Sequence, residues 1–348
     1  MSISPDAPNP HFAVRPDWLA LHAEPILEPD LPIVDCHHHF WDRPGNRYFF
    51  FDLLDDLNSG HNFTATVFME CGAMYRKHGA PEMAPVGETE FANGLAAMSA
   101  SGAYGSTRIA EAIVGYCDLM LGDRAAAVLE AHMVAGGGRF RGIRNIAAWH
   151  VDPAARGSLA NPPPGLLADA RFRQGLAEVQ RLGLCFESFL YHTQIFEFVD
   201  LAQAFPDTPM VLNHIGGALG IGPYAGKREE VFENWRAGIR ALSNCRNVSV
   251  KLTGLGMRLF GFELGARPRP PASSDVAEAW RPYITTLIEA FGPERCMFGS
   301  NFPVDKGSCS YAVLWNAFKR IASDLSHDEK AALFHGTASR IYRLQEIV

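Results

Sequence analysis

The chain has 348 residues, 47% hydrophobic and 20% charged, with a formal net charge of −7, which suits a large folded core. An acidic balance without a Lys/Arg run argues against nucleic acid or an anionic membrane as partner and leaves a small-molecule substrate. Seven scattered cysteines with no CxxC pair read as reduced thiols of a cytoplasmic protein, and no stretch approaches the roughly 20 apolar residues of a membrane span.

In chain order, residues 1–30 are Pro-rich and polar, an irregular arm with no apolar leader-like core, and 31–348 read as a single domain. Short apolar and β-branched runs then recur at 31–39, 63–70, 109–118, 140–147, 182–190, 208–215, 247–255 and 294–300. Near-continuous apolar strands covered on both faces point to a parallel sheet. Helical patterns separate them, at 123–138, 169–183, 194–205 and 274–292, with apolar residues three and four apart. Eight strands alternating with about eight helices favour a closed (β/α)8 TIM barrel, and no GxGxxG follows the first strand to support an open doubly wound sheet. Longer connections at 71–105, 148–168, 216–235 and 256–275 each follow a strand, where this architecture puts substrate-binding loops or an oligomer contact.

The chemistry begins in IVDCHHHFWD, residues 33–42. Side chains alternate along a strand, so His37 and His39 share one side and His38 takes the other. Two inward imidazoles at the end of a first barrel strand make a pair of metal ligands or hydrogen-bonding groups. Glu70 ends the second strand, placed to bind a metal or substrate, position water, or pair with Arg76 or Lys77. Arg144, in GIRN, is placed to fork onto a substrate oxygen or to pair with Glu187. His192, a substrate-binding candidate, lies just beyond the fifth strand, and His214 closes the sixth, in LNHIGG, where two glycines let backbone approach a ligand. In the last strand, MFGSNFPVDKG, hydrolysis calls for a base, yet the strand tip is Asn301, an amide without usable basicity. Asp305, four residues on, is the candidate base or a partner of Lys306. Trp41 and its aromatic neighbours suit a planar ligand.

At this point the sequence resembles the amidohydrolase-2 family of the amidohydrolase superfamily, in its lactonase-like branch, which includes fuconolactonase-like and 2-pyrone-4,6-dicarboxylate lactonase-like enzymes. DCHHHFWD, VGYCDL, GIRN, LNHIGG, NVSVKLTGL and MFGSNFPV carry the likeness in order, over nearly the whole chain after residue 31. The resemblance implies that His37 and His39 are the first-strand pair, that His214 meets the scissile carbonyl or a metal, and that Arg144 contacts substrate. It also implies one divalent metal, zinc foremost, on His37, His39 and His214, or metal-free action as in some members. The family usually has GSD where this chain has Asn301, so both the base and the metal stay open. The expected activity is hydrolysis of a lactone or related cyclic ester. The alternatives are metal-dependent decarboxylation of an aromatic acid and a binding homologue impaired in catalysis.

Overall fold

The computed structural model describes residues 11–43, 46–157 and 160–344, so residues 1–10 of the expected arm lie outside it. The strands are β1 (Pro32–His38), β4 (Asn62–Met69), β5 (Arg108–Gly115), β6 (Phe140–Ile146), β7 (Cys185–Phe189), β8 (Met210–Leu212), β9 (Val248–Leu252) and β10 (Cys296–Phe298), all parallel in that order. Between β1 and β4 lies a small antiparallel hairpin, β2 (Trp41–Arg43) with β3 (Asn46–Tyr48). The ring is drawn shut where Asn301 N–H donates to His37 O at 2.7 Å and His39 N–H to Phe302 O at 2.8 Å. The residues of the closing seam are therefore residues of the expected site.

The principal helices are α1 (Pro16–Leu19), α2 (Phe50–Leu57), α3 (Val86–Ala100), α4 (Ala125–Ala135), α5 (Ala170–Arg181), α6 (Ile195–Ala204), α7 (Arg228–Ser243), α8 (Ser273–Phe291) and α9 (Tyr311–Ile321), followed by α10 (His327–Ala331) and α11 (Thr337–Ile341). Buried aromatics weld this layer to the sheet, as where Phe298 stacks on Phe318 at 4.4 Å. Inside the ring, Val34, Cys36, Val67 and Val114 form a second, smaller core together with Ala338 of α11 and Tyr342 just beyond it.

Three sequence expectations change. The 71–105 connection holds α3, a helix whose apolar residues lack one clear stripe because Val86, Ala92 and Ala96 bury beside small polar Thr89 and Ser99. The 216–235 connection likewise contains the start of α7. The arm, read as irregular, carries the short helix α1 and is held from residue 11 onward by the barrel itself. Lys319 donates to Leu27 O and Glu28 O, each at 2.8 Å, and Asn316 donates to Pro25 O at 2.9 Å. Its earlier part lies against the loops after β9 and β10: Trp18 Nε1 donates to Arg267 O at 3.1 Å, and a side chain on Gly265 would meet the Phe12 ring at 2.5 Å. Among the described residues no helix is long and apolar enough to cross a membrane, and all seven cysteines are free.

Candidate active site

The two histidines of the first strand owe their placement to an irregularity. Asp35 pairs with Thr66 and His38 with Phe68, three steps on β1 against two on β4, so a bulge lies between them. Cys36 points into the barrel core, and the extra residue lets His37 and then His39 face the mouth. His38 is turned the other way, as the alternation predicts, with Nε2 2.8 Å from Thr66 Oγ1 and its ring against Phe40 and Phe68.

Asp35 fixes the bulge. It accepts hydrogen bonds from Ser300 N–H at 2.7 Å, Ser300 Oγ–H at 2.6 Å, Tyr311 O–H at 2.8 Å and His37 N–H at 3.2 Å. One buried carboxyl thus ties the first strand to the end of the last. Sequence reasoning passed over it, although an acid inside a buried apolar run is itself a signal.

His214 lies two residues beyond β8, in a tight turn, and not within the strand as expected. Its φ is 51° and that of Ile215 is 54°, left-handed values that cost about 1–3 kcal/mol each for side chains of this kind. The turn brings the His214 ring to 4.6 Å from that of His37, which is 5.0 Å from that of His39. His214 Nδ1 lies 2.8 Å from Thr253 Oγ1, and its ring meets that of Phe189 edge to face, 5.1 Å between centres. Gly254 has φ +81°, and a Cβ there would stand 2.4 Å from His214 Nδ1, so only glycine fits. His39 donates Nδ1–H to Met69 O at 2.9 Å, which leaves its Nε2 a bare acceptor.

Arg144 is buried with Glu70: Nε donates to Glu70 Oε1 at 2.8 Å, Nη2 to Glu70 O at 2.5 Å, and Nη1 lies 3.5 Å from His37 Nε2. Neither pairing suggested by the sequence is the one formed, since Arg76 meets Glu90 and Glu187 meets Lys251 at 2.8 Å. A guanidinium only donates, so it reads His37 Nε2 as an acceptor and leaves the proton on Nδ1, a buried atom without a hydrogen-bond partner among the described residues. Beneath the histidines, Glu187 also accepts from Asn213 at 2.7 Å and Tyr342 at 2.6 Å. Lys251 is the one charged residue in its strand, a cue that sequence reasoning left unused.

Asn301 also has a left-handed backbone, φ 55°, which asparagine tolerates better than most residues. Its Nδ2 donates to Asp305 Oδ1 at 2.9 Å, and Gly256 N–H donates to Asp305 Oδ2 at 3.1 Å. Asp305 is not paired with Lys306, which meets Asp56 at 2.6 Å. Burial pushes the Asp305 carboxyl up to about 7 against the pull of those hydrogen bonds. Burial first, and then the charge of Lys251 or Arg144, holds His37, His39 and His214 well below the usual imidazole range, so all three are neutral.

His192 belongs elsewhere on the mouth. Its ring packs on Tyr224 at 4.9 Å, and Tyr224 O–H lies 3.1 Å from His150 Nε2. Trp41 stacks on His39, 5.6 Å between ring centres and 17° between planes.

The imidazoles gather, yet among the described residues no three His, Cys, Asp or Glu side chains are placed to hold a metal ion. The physical reasons are visible: a guanidinium faces His37 Nε2, and the strand-end carboxylate that would neutralise a dication is an amide. The donor set expected for zinc therefore does not fit a metal centre in this arrangement.

The family model described as "Amidohydrolase" matches residues 34–344. The uncharacterized protein y4mH of Sinorhizobium fredii is 33% identical over 90% of this chain and 99% of its own length. The L-fucono-1,5-lactonase of Burkholderia multivorans is 28% identical over 68% of this chain and 72% of its own. A crystal structure of an amidohydrolase from Burkholderia multivorans with bound zinc superposes with a TM-score of 0.66 at 26% identity, covering 90% of this chain and 99% of that one.

Proposed function

Because this chain belongs to the amidohydrolase family and is a hydrolase, we propose that it opens a lactone or related cyclic ester by attack of water on the ring carbonyl. The observation that carries the reading is the cluster of His37, His39 and His214, three neutral imidazoles within 4.6 and 5.0 Å of one another along the cluster, at the strand ends of one barrel. The lactonase relative supports the substrate class.

In this reading the carbonyl oxygen sits among donors. The Arg144 guanidinium, and His214 Nε2–H when Thr253 donates to Nδ1, share the oxyanion of the tetrahedral intermediate. A neutral imidazole serves well here, since it donates without leaving a buried charge in the ground state. Asp305 is the base. Its carboxylate accepts from Asn301 Nδ2 and from backbone N–H groups, and a remaining lone pair takes the proton of the attacking water. Asn301 positions that carboxylate and, through its carbonyl, the water. The C–O bond of the ring then breaks, and the proton held by Asp305 passes to the departing alkoxide, which gives the hydroxy acid. Glu70 holds Arg144 in place. His192 and Trp41 line the substrate's path, and the reaction is assigned to the cytoplasm. No step passes through a metal.

The experiment is a lactone panel followed by acid release at constant pH, with identification of product by mass. A ring-opened acid, unaffected by chelator and lost in His214→Ala, is the expected result. Carbon dioxide in place of the acid would replace hydrolysis with decarboxylation. Unchanged recovery of tightly bound lactone would mark a binding protein.

A further inference from the structure

The peptide that joins Glu70 to Cys71 is held from both sides. Its carbonyl accepts from Arg144 Nη2 at 2.5 Å, and its N–H donates to Glu88 Oε1 at 2.9 Å. In a trans peptide these two groups point in opposite directions within one plane, so a bond on one side restrains the other. A single rigid plane thus connects an acid in the first turn of α3 with the guanidinium that lies beside His37.

Glu88 serves this loop and not its own helix. An acid three residues into a helix ordinarily reaches back to the N-cap N–H. Here the N-cap is Pro85, which has none. Glu88 Oε1 instead also accepts from Ala73 N–H at 2.9 Å and lies 3.4 Å from Cys71 Sγ. Helix and loop are pressed together, since a Cβ on Gly87 would stand 2.6 Å from Met74 O.

The protonation of this carboxyl follows from its two unequal oxygens. Glu88 is 1% exposed, and Oε2 is buried with no hydrogen-bond partner among the described residues. A carboxylate would leave half its charge on that oxygen, which is costly in a buried place. Burial first, and then the charge of Glu70, pushes the carboxyl up to about 8. Glu88 is therefore a neutral acid, with Oε1 as its carbonyl and the proton on Oε2. Such a group aims an acceptor at the loop without adding a second anion to compete with Glu70 for Arg144.

We propose that Glu88 is a positioning residue for the reaction: it sets the plane of the Glu70–Cys71 peptide and, through it, the Arg144 guanidinium that meets the oxyanion. The assignment rests on the lactone reading above for what Arg144 does in turnover, but not for how Arg144 is held. The Glu70 side chain holds Nε and the Glu70 carbonyl holds Nη2, so turning the peptide frees one prong of the fork and lets Nη1 leave His37 Nε2.

The test uses the full chain, L-fucono-1,5-lactone as the probe of turnover, and arginine labelled with nitrogen-15. Glu88→Ala should lower kcat about thirtyfold with KM held within about twofold, because the oxyanion contact is made in the transition state. Glu88→Gln keeps the carbonyl and should stay within about threefold of wild type, whereas Glu88→Asp, one methylene short, should fall with the alanine variant. In an Arg144→Met background Glu88→Ala should cost no more than about a further twofold. A loss that multiplies in that background, or a glutamine variant as poor as alanine, overturns the assignment. A second arm is independent of turnover. Solvent exchange of Arg144 Nε–H, its signal identified by its disappearance in Arg144→Lys, should be slow in wild type and Glu88→Gln and about tenfold faster in Glu88→Ala and Glu88→Asp. Unchanged protection in the last two overturns the proposal whatever the activity. Protection lost there and kept in Glu88→Gln sustains the positioning even if the wild type opens no lactone and the hydrolytic reading falls. Lactone opening indifferent to Glu88→Ala sinks the proposal and spares the reading. If the alanine variant does not fold, Glu88→Asp against Glu88→Gln decides both arms.

Discussion

Asn301 Nδ2 donates to Asp305 Oδ1 across 2.9 Å, so the amide at the tip of the last strand and the carboxylate of the following loop behave as one unit. If Asp305 takes the proton from water, Asp305→Asn removes the base and should lower kcat by about 10²–10⁴-fold. Full activity in that variant would eliminate the assignment.

The same carboxyl sets the pH profile. It titrates near 7, so the working, ionised form accumulates as pH rises, and kcat/KM should climb about tenfold per pH unit below 7 and level off above it. The three imidazoles stay neutral across this range and add no limb of their own. The linkage to stability runs in the opposite direction to activity. A group raised from 3.8 to about 7 in the folded chain contributes most below about 4, and that contribution is lost as pH rises towards 7. Denaturant titrations of wild type and Asp305→Asn across pH 4–8 measure this contribution, and parallel curves would refute it.

Asn301→Asp places a second carboxyl beside the first. Like charges at this distance cannot both ionise readily, so the acid limb should move to higher pH and the rate at pH 6 should fall. A profile identical to wild type would mean that the two groups do not interact. Asn301→Ala should instead cost about 1–3 kcal/mol of stability, because alanine tolerates a φ of 55° less well.

Glu70→Gln leaves the Arg144 guanidinium buried without its counter-charge. Breaking one side of such a pair costs about 3–5 kcal/mol, so the melting temperature should drop by several degrees and Arg144 should lose its hold beside His37. An unchanged melting temperature would show that solvent reaches the pair.

Gly254→Ala puts a methyl 2.4 Å from His214 Nδ1 at a φ of +81°. The imidazole must move, so activity should fall by more than tenfold while most of the fold survives. Activity within twofold of wild type would show that the position of His214 is not critical.

The barrel and its histidines were legible because both follow from periodicity. Alternating strand and helix patterns give the architecture, and the two-residue repeat separates His37 and His39 from His38. The companions of these residues were not legible, since ion-pair partners come together from distant strands. Glu70 is 74 positions from Arg144, and Lys251 is 64 from Glu187. Glu70 and Lys251 each stand out as a charge in an apolar run, but nothing local names the partner of either. The turn at His214 was missed for another reason: LNHIGG reads as a strand running to its end, whereas the packing of the ring between Thr253 and Phe189 holds His214 and Ile215 in a left-handed backbone that propensity alone disfavours. α3 was overlooked because alanine, glycine and threonine do not make an amphipathic stripe.

The arm seated on the loops after β9 and β10 has a consequence for the order of assembly. Trp18 meets Arg267 across 249 positions, and Leu27 meets Asn316 across 289, so the earliest described residues find their seats only after the last two barrel strands exist. Contacts of such range are slow to form. A nascent chain halted before residue 260 therefore has neither a closed ring nor a landing place for Phe12, and its apolar strand edges stay open to chaperones or to misassembly until β10 has been made.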